Sequence, residues 1–135
     1  YQVDNGLVWY INGGGSANRL NGYSVFTLNK WFYLVGTFSN SSKKQEIFVN
    51  GISINKRNYD VTLNNPTEKT VIGNCVWHDT IFDGYIDDAR VYDAALSVSQ
   101  IKQNYIAGLN SLLANGNICK KEYNERINSL STINY

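Results

Sequence analysis

The chain contains no methionine, one histidine and two cysteines in 135 residues, and only 17% of its residues are charged. Each shortage closes off a class of chemistry. The lone histidine, His78, has no second imidazole or cysteine at ligand spacing and no convergent partners, which disfavours zinc and a Ser-His-Asp triad; it reads as a surface residue. Basic residues are scattered and the net charge is +1. Without a basic stripe to neutralise phosphates, nucleic acid is not expected as a partner. No apolar run approaches the roughly 20 residues of a membrane span, and no charged-then-apolar leader opens the chain, so it is expected to be soluble, with no membrane insertion by this segment.

What the chain does have is aromatic and β-branched residues. Hydrophobic residues make up 43%, with ten tyrosines and three tryptophans, enough at this length for one core and an appendage. Strands are predicted where such residues cluster or alternate between Gly- and Asn-rich punctuation: Leu7–Ile11, Tyr23–Leu28, Trp31–Phe38, Gln45–Val49, Ile52–Ile54, Asp60–Leu63, Thr70–Asn74, Ile81–Ile86 and Asp87–Tyr92. Asn12 to Ser16 reads as a loop or bulge, and Asn40 to Lys44 as a turn. Asn50-Gly51 is the strongest hairpin signal, because a type I′ turn needs positive φ at both central residues.

Helical periodicity begins only after Leu96. Ser97 and Gln100 form a capping box, and Val98, Ile101, Tyr105, Leu109 and Leu112 recur every three or four residues on one face. Asn115-Gly116 supplies a left-handed stop. A second, shorter helix follows with Tyr123, Ile127 and Leu130 on one face, giving a helical hairpin whose last residues fray.

Residues 82 to 101 read Phe-Asp-Gly-Tyr-Ile-Asp-Asp-Ala-Arg-Val-Tyr-Asp-Ala-Ala-Leu-Ser-Val-Ser-Gln-Ile. This stretch closely resembles the closing strand and first helical turn of the laminin-G-like group of concanavalin A-like jelly rolls, whose pattern is roughly F-x-G-x-I-D-D-V-R-I-Y-N-x-x-L-S-x-x-E-I. Trp31 to Ser39 is similar to that family's W-h-h-V-x-x-T-Y-D strand, and Glu46 to Ile52 to its L-Y-V-D-G-x-x-V hairpin, in the same order. The resemblance covers about residues 1 to 104. It implies an all-β fold, an antiparallel jelly-roll β-sandwich over residues 1–96, followed by a C-terminal α-helical hairpin over residues 97–135. It also implies that the family's first strands lie before the position of Tyr1.

By resemblance, the expected work is recognition outside the cell. We expect a non-catalytic carbohydrate-binding or adhesion module of a secreted or cell-surface protein, its partner a glycan or a surface protein. A structural subunit that packs on copies of itself as a homo-oligomer in a surface appendage is the alternative, since fold does not fix function. Glucanase relatives use a Glu-x-Asp-x-Glu strand with carboxyls about 5 Å apart. The four glutamates here, Glu46, Glu68, Glu122 and Glu125, form no such triplet, so a glycoside hydrolase fragment is the least favoured reading.

The acidic cluster is Asp83, Asp87 and Asp88. Strand alternation puts Asp87 on the face of Ala89 and Val91 and Asp88 on that of Arg90 and Tyr92. If the Ala89 face is the core, Asp87 points inward and needs a cation or several amide donors. The resemblance implies a structural Ca²⁺ at Asp87; the alternative is that Asp87 and Asp83 cap loop amides. For a glycan, apolar sugar faces pack on aromatic rings while Asn and Asp bind hydroxyls. The aromatic candidates are Trp9, Tyr10, Tyr23, Tyr59, Trp77 and Tyr85, with Asn18, Asn74, Asp79 and Asp83 near some of them in sequence; Trp77 leads because it sits in a loop beside polar residues, and Trp31 is assigned to the core. The ligand-binding set is thus Trp77, Asp79, Asp83, Tyr85 and Asn74. Cys75 and Cys119 are either separate thiols or a disulfide; we expect the bond, worth on the order of 4 kcal/mol in the chain-entropy model and indicative of an oxidising compartment.

Overall fold

Asn50 and Gly51 reverse the chain at the centre of the molecule. In the computed structural model, which describes residues 7–11, 19–22, 26–63, 71–75 and 80–131, both have positive φ, 53° and 79°, as a type I′ turn requires. The strands are β1 (Leu7–Tyr10), β2 (Arg19–Gly22), β3 (Leu34–Ser39), β4 (Lys44–Val49), β5 (Ile52–Asn58), β6 (Asn74–Cys75) and β7 (Thr80–Ile81), followed by helices α1 (Val98–Ala114) and α2 (Lys120–Ser131). All described pairings are antiparallel: β1 with β2, β3 with β4 with β5, and β6 with β7.

The middle strand β4 is buried on both faces, from Gln45 through Val49. Alternation puts Gln45, Ile47 and Val49 on one face and Lys44, Glu46 and Phe48 on the other. The first face is covered by the β1–β2 ribbon. Gly36, opposite Ile47 in the ladder, has no side chain because the Trp9 indole occupies that space: a Cβ there would lie 2.7 Å from the ring. Gln45 donates to the carbonyl of Trp9 at 3.1 Å and accepts from Arg57 Nε at 2.7 Å, and the Arg57 guanidinium lies 4.3 Å from the Tyr59 ring centroid. On the second face the buried Glu46 is satisfied by Lys44 and by the Ser53 hydroxyl, each at 2.5 Å, as a desolvated carboxylate requires. A register shift between Ile47 and Phe48 bends β5 and leaves Ile54 facing Gly22.

The helices form where their local signals fall. Ser97 accepts from the Gln100 amide at 3.3 Å and Gln100 returns the bond to the Ser97 amide at 2.9 Å, completing the capping box. At the other end Gly116, φ 72°, donates to Leu113 and Asn117 to Leu112, a Schellman arrangement. Tyr105, Leu109 and Ile118 form a buried cluster against which Tyr123, Ile127 and Leu130 pack. The cluster reaches the sheet: Tyr33 stacks on Tyr105 at 6.0 Å, and Gly51 lies beside Leu130 and Tyr105.

Four expectations change. Asp60–Leu63 is not a strand, and the residues from 82 to 97 form no ladder, so of the expected strands at 81–86 and 87–92 only Ile81 is paired, in β7. The cause at 87–92 is local: Asp88 takes φ 54°, a left-handed conformation that Asp tolerates but that breaks the pleat. Second, a strand not expected, Arg19–Gly22, pairs with β1, whereas Phe26–Leu28 joins no ladder and residues 23–25 lie outside the described residues. Third, the inward placement of Asp87 and Val91 fails: both are exposed, Val91 by 93%. Fourth, no Cys75–Cys119 bridge is made, because Cys119 is an exposed free thiol at the start of α2, where its carbonyl accepts from Tyr123. The described residues thus give small antiparallel sheets plus two helices.

Candidate ligand-binding surface

The chain approaches the surface in question through Asn29, whose φ of 59° turns it sharply before Lys30. Tyr33 is then fixed to the hairpin: its amide donates to Asn50 Oδ1 at 3.0 Å, and the Asn50 amide donates back to the Tyr33 carbonyl at 2.8 Å. Alongside runs the segment after β7. It is anchored by the Phe82 amide to the Gly73 carbonyl at 2.8 Å, and the exposed Phe82 ring folds over Gly84, 2.8 Å from where a Cβ would sit. This brings Tyr85 against Trp31, with ring centroids 6.5 Å apart and planes tilted by 39°. Tyr85 is 87% exposed and Trp31 half-buried.

Polar groups continue the strip. Asp87 accepts from the Asp88 amide at 2.8 Å, and Asp88 holds Arg90 at 2.7 Å. The Arg90 guanidinium is kept further in its charged form by the Tyr92 hydroxyl and by Asp88. Burial pushes the Tyr33 phenol up, opposed by its hydrogen bond with Asn104, and the charges of Tyr92, Arg90 and Asp88 are close enough to act on it. Behind Trp31, Arg126 of α2 donates to the Trp31 carbonyl at 2.9 Å and to Glu122 at 2.8 Å, and Lys30 reaches the same carboxylate at 3.2 Å. The Arg126 hydrogen bond chiefly, partly opposed by burial, holds the Glu122 carboxyl below its ordinary range.

Of the expected ligand-binding residues, Tyr85 and Asp83 are exposed on this segment. Asn74 lies in β6 opposite Ile81, and Trp77 and Asp79 lie outside the described residues, as do His78 and Asn18. Trp9 is a packing residue against Gly36. Trp31, assigned to the core from its strand pattern, is half-buried with its ring 6.5 Å from that of Tyr85; no local signal marks this contact, since Tyr85 and Arg126 are remote in sequence. Asp87 accepts from the Asp88 amide through one carboxylate oxygen and Asp88 is paired with Arg90; among the described residues, no group of three or more His, Cys, Asp or Glu is placed to hold a metal ion. Among the described residues, no helix is long and apolar enough to cross a membrane.

Antiparallel sheets followed by two helices define a β-type domain with a helical extension. The chain belongs to the concanavalin A-like lectin/glucanases superfamily, whose laminin-G-type profile matches residues 1–102. Among solved structures it is similar to an S-layer domain-containing protein (residues 221–444) from Clostridium thermocellum, at 23% identity with a TM-score of 0.51. That similarity covers 76% of this chain and 52% of the other, so the chain spans about half the length of that structure. No curated protein gives a significant match.

Proposed function

We propose that this chain is a non-catalytic, carbohydrate-binding module of a cell-surface or secreted protein, built on a concanavalin A-like sandwich, and that the Trp31–Tyr85 strip is where it meets its ligand. The observation that carries this is the exposed Tyr85 ring set 6.5 Å from Trp31, on the same exposed segment as the Asp88–Arg90 pair. A sugar presents an apolar C–H face and a rim of hydroxyls; rings at an angle clasp the first, and a carboxylate with a guanidinium binds the second. Family membership supports a glycan, and the S-layer domain named in the similar structure supports a surface setting. Binding without cleavage fits the glutamates: Glu46 is engaged by Lys44 and Ser53, and Glu122 and Glu125 belong to α2.

A second reading has its own observation. Ile81, Phe82, Tyr85, Ile86 and Val91 are all at least half exposed along one segment, which suits a protein partner as well as a glycan. A glycan array decides between them when the chain is compared with Tyr85→Ala, Trp31→Ala and Trp77→Ala. The proposal expects spots that vanish in Tyr85→Ala and Trp31→Ala with the fold intact; an array blank for the unsubstituted chain favours the protein partner, and release of reducing ends on any bound glycan overturns the non-catalytic assignment.

A further inference from the structure

Trp31 is held by a helix that lies almost a hundred residues further along the chain. Its carbonyl accepts from Arg126 Nη1 at 2.9 Å across a separation of 95 residues. The guanidinium is itself fixed by Glu122, which takes both Nε at 3.2 Å and Nη2 at 2.8 Å, and the same carboxylate oxygen takes Lys30 Nζ at 3.2 Å. Lys30 and Trp31 are therefore gripped at adjacent positions, one by side chain and one by backbone. The Arg126 side chain is only 14% exposed, and it also lies near the buried Tyr105 hydroxyl, where its charge acts on that phenol. A shielded, charge-assisted network of this kind holds geometry better than an exposed ion pair, because water competes less for its members.

We infer that α2 is a working part of the recognition surface, and that Arg126, oriented by Glu122, is the positioning residue that sets the angle of Trp31 against Tyr85. This rests on the proposed reading of the Trp31–Tyr85 strip. Arg126 touches no ligand; it acts through the Trp31 backbone. Trp31 follows a left-handed turn at Asn29 and precedes β3, so it has no ladder bond of its own to fix it. With the Arg126 bond removed, the Trp31 backbone is free to shift, carrying the indole away from Tyr85, and the clasp loses one wall.

The test uses the full chain labelled with fluorotryptophan, whose Trp31 resonance is assigned by Trp31→Phe. Arg126→Ala is expected to displace that resonance by more than its linewidth while those of Trp9 and Trp77 stay in place. Arg126→Lys, which keeps the charge but loses the fork, is expected to fall between, and Glu125→Gln, on the same helix, to change nothing. If Arg126→Ala fails to fold by circular dichroism, Glu122→Gln carries the decision with the same readout. An unmoved Trp31 resonance in a folded variant overturns the inference. So does a glycan array on which Arg126→Ala keeps every spot that Trp31→Ala loses; the expected result is about a tenfold weakening at those spots. A blank array for the unsubstituted chain counts against the proposed function, while the resonance still decides whether Arg126 positions Trp31.

Discussion

Strand β4 and the segment from Ile81 to Tyr92 are built from similar residues and end in opposite circumstances. Both mix β-branched or aromatic residues with polar and charged ones, yet β4 is buried from Gln45 to Val49, whereas Phe82, Tyr85, Ile86 and Val91 stand half to fully exposed. The difference is partners. β4 has β3 and β5 on its two edges, each joined to it by a short turn, so its backbone groups are paired at small loop-closure cost. The later segment finds a two-residue ladder at Thr80–Ile81 and is then broken by Asp88. Composition marks a chain able to be a strand; neighbours decide whether it becomes one.

The sharpest way to break that contrast is inside β4. Phe48→Ala is expected to cost about 3–5 kcal/mol in urea unfolding, because its side chain is 1% exposed. A loss under about 1 kcal/mol there would mean β4 is not the core. Gly36→Ala is next: the added methyl meets the Trp9 ring at 2.7 Å, and an aromatic ring wedged against a ladder does not yield easily. About 1–3 kcal/mol is expected from that overpacking, read as a lower denaturant midpoint with unchanged slope.

Acid probes the edge of the surface strip. Glu122 titrates below the ordinary glutamate value of 4.5 in the folded chain, through Arg126 first and also Lys30. A depressed folded pKa means the stabilisation is present above the unfolded value and is lost as pH falls through the folded one. The difference in Tm between the unsubstituted chain and Glu122→Gln is therefore expected at pH 7 and should vanish on acidification below the ordinary glutamate range. Hydrogen exchange over residues 30–33 should rise in step, while residues 44–49 stay protected. The smallest effect belongs to Val91→Ser: at 93% exposure it is expected to change stability by less than about 0.5 kcal/mol, and a larger loss would show that the segment is covered in solution.

The same contrast explains what was legible in the sequence. The Asn50-Gly51 turn, the Ser97–Gln100 box and the Gly116 stop each depend on residues within a few positions of one another, and all three form as read. The family was legible because its motifs are also local, and the profile over residues 1–102 agrees. The extended reading of Asp87–Tyr92 failed because alternation says nothing about Asp88 turning left-handed. The contacts of Trp31 were not legible for a different reason: they are made with Tyr85 and Arg126, and no window of sequence holds them together. The expected bridge failed in the same way, since cysteine count carries no distance.

The hairpin tip has a further consequence, for the order of events during folding. The β3–β4–β5 meander joins neighbours along the chain through the Asn40–Lys43 and Asn50-Gly51 reversals, so it needs little chain search and should assemble early. Gly51 at its apex then offers the bare backbone onto which Leu130 and Tyr105 close. A newly made polypeptide would thus carry its landing pad before the helices that use it have been synthesised.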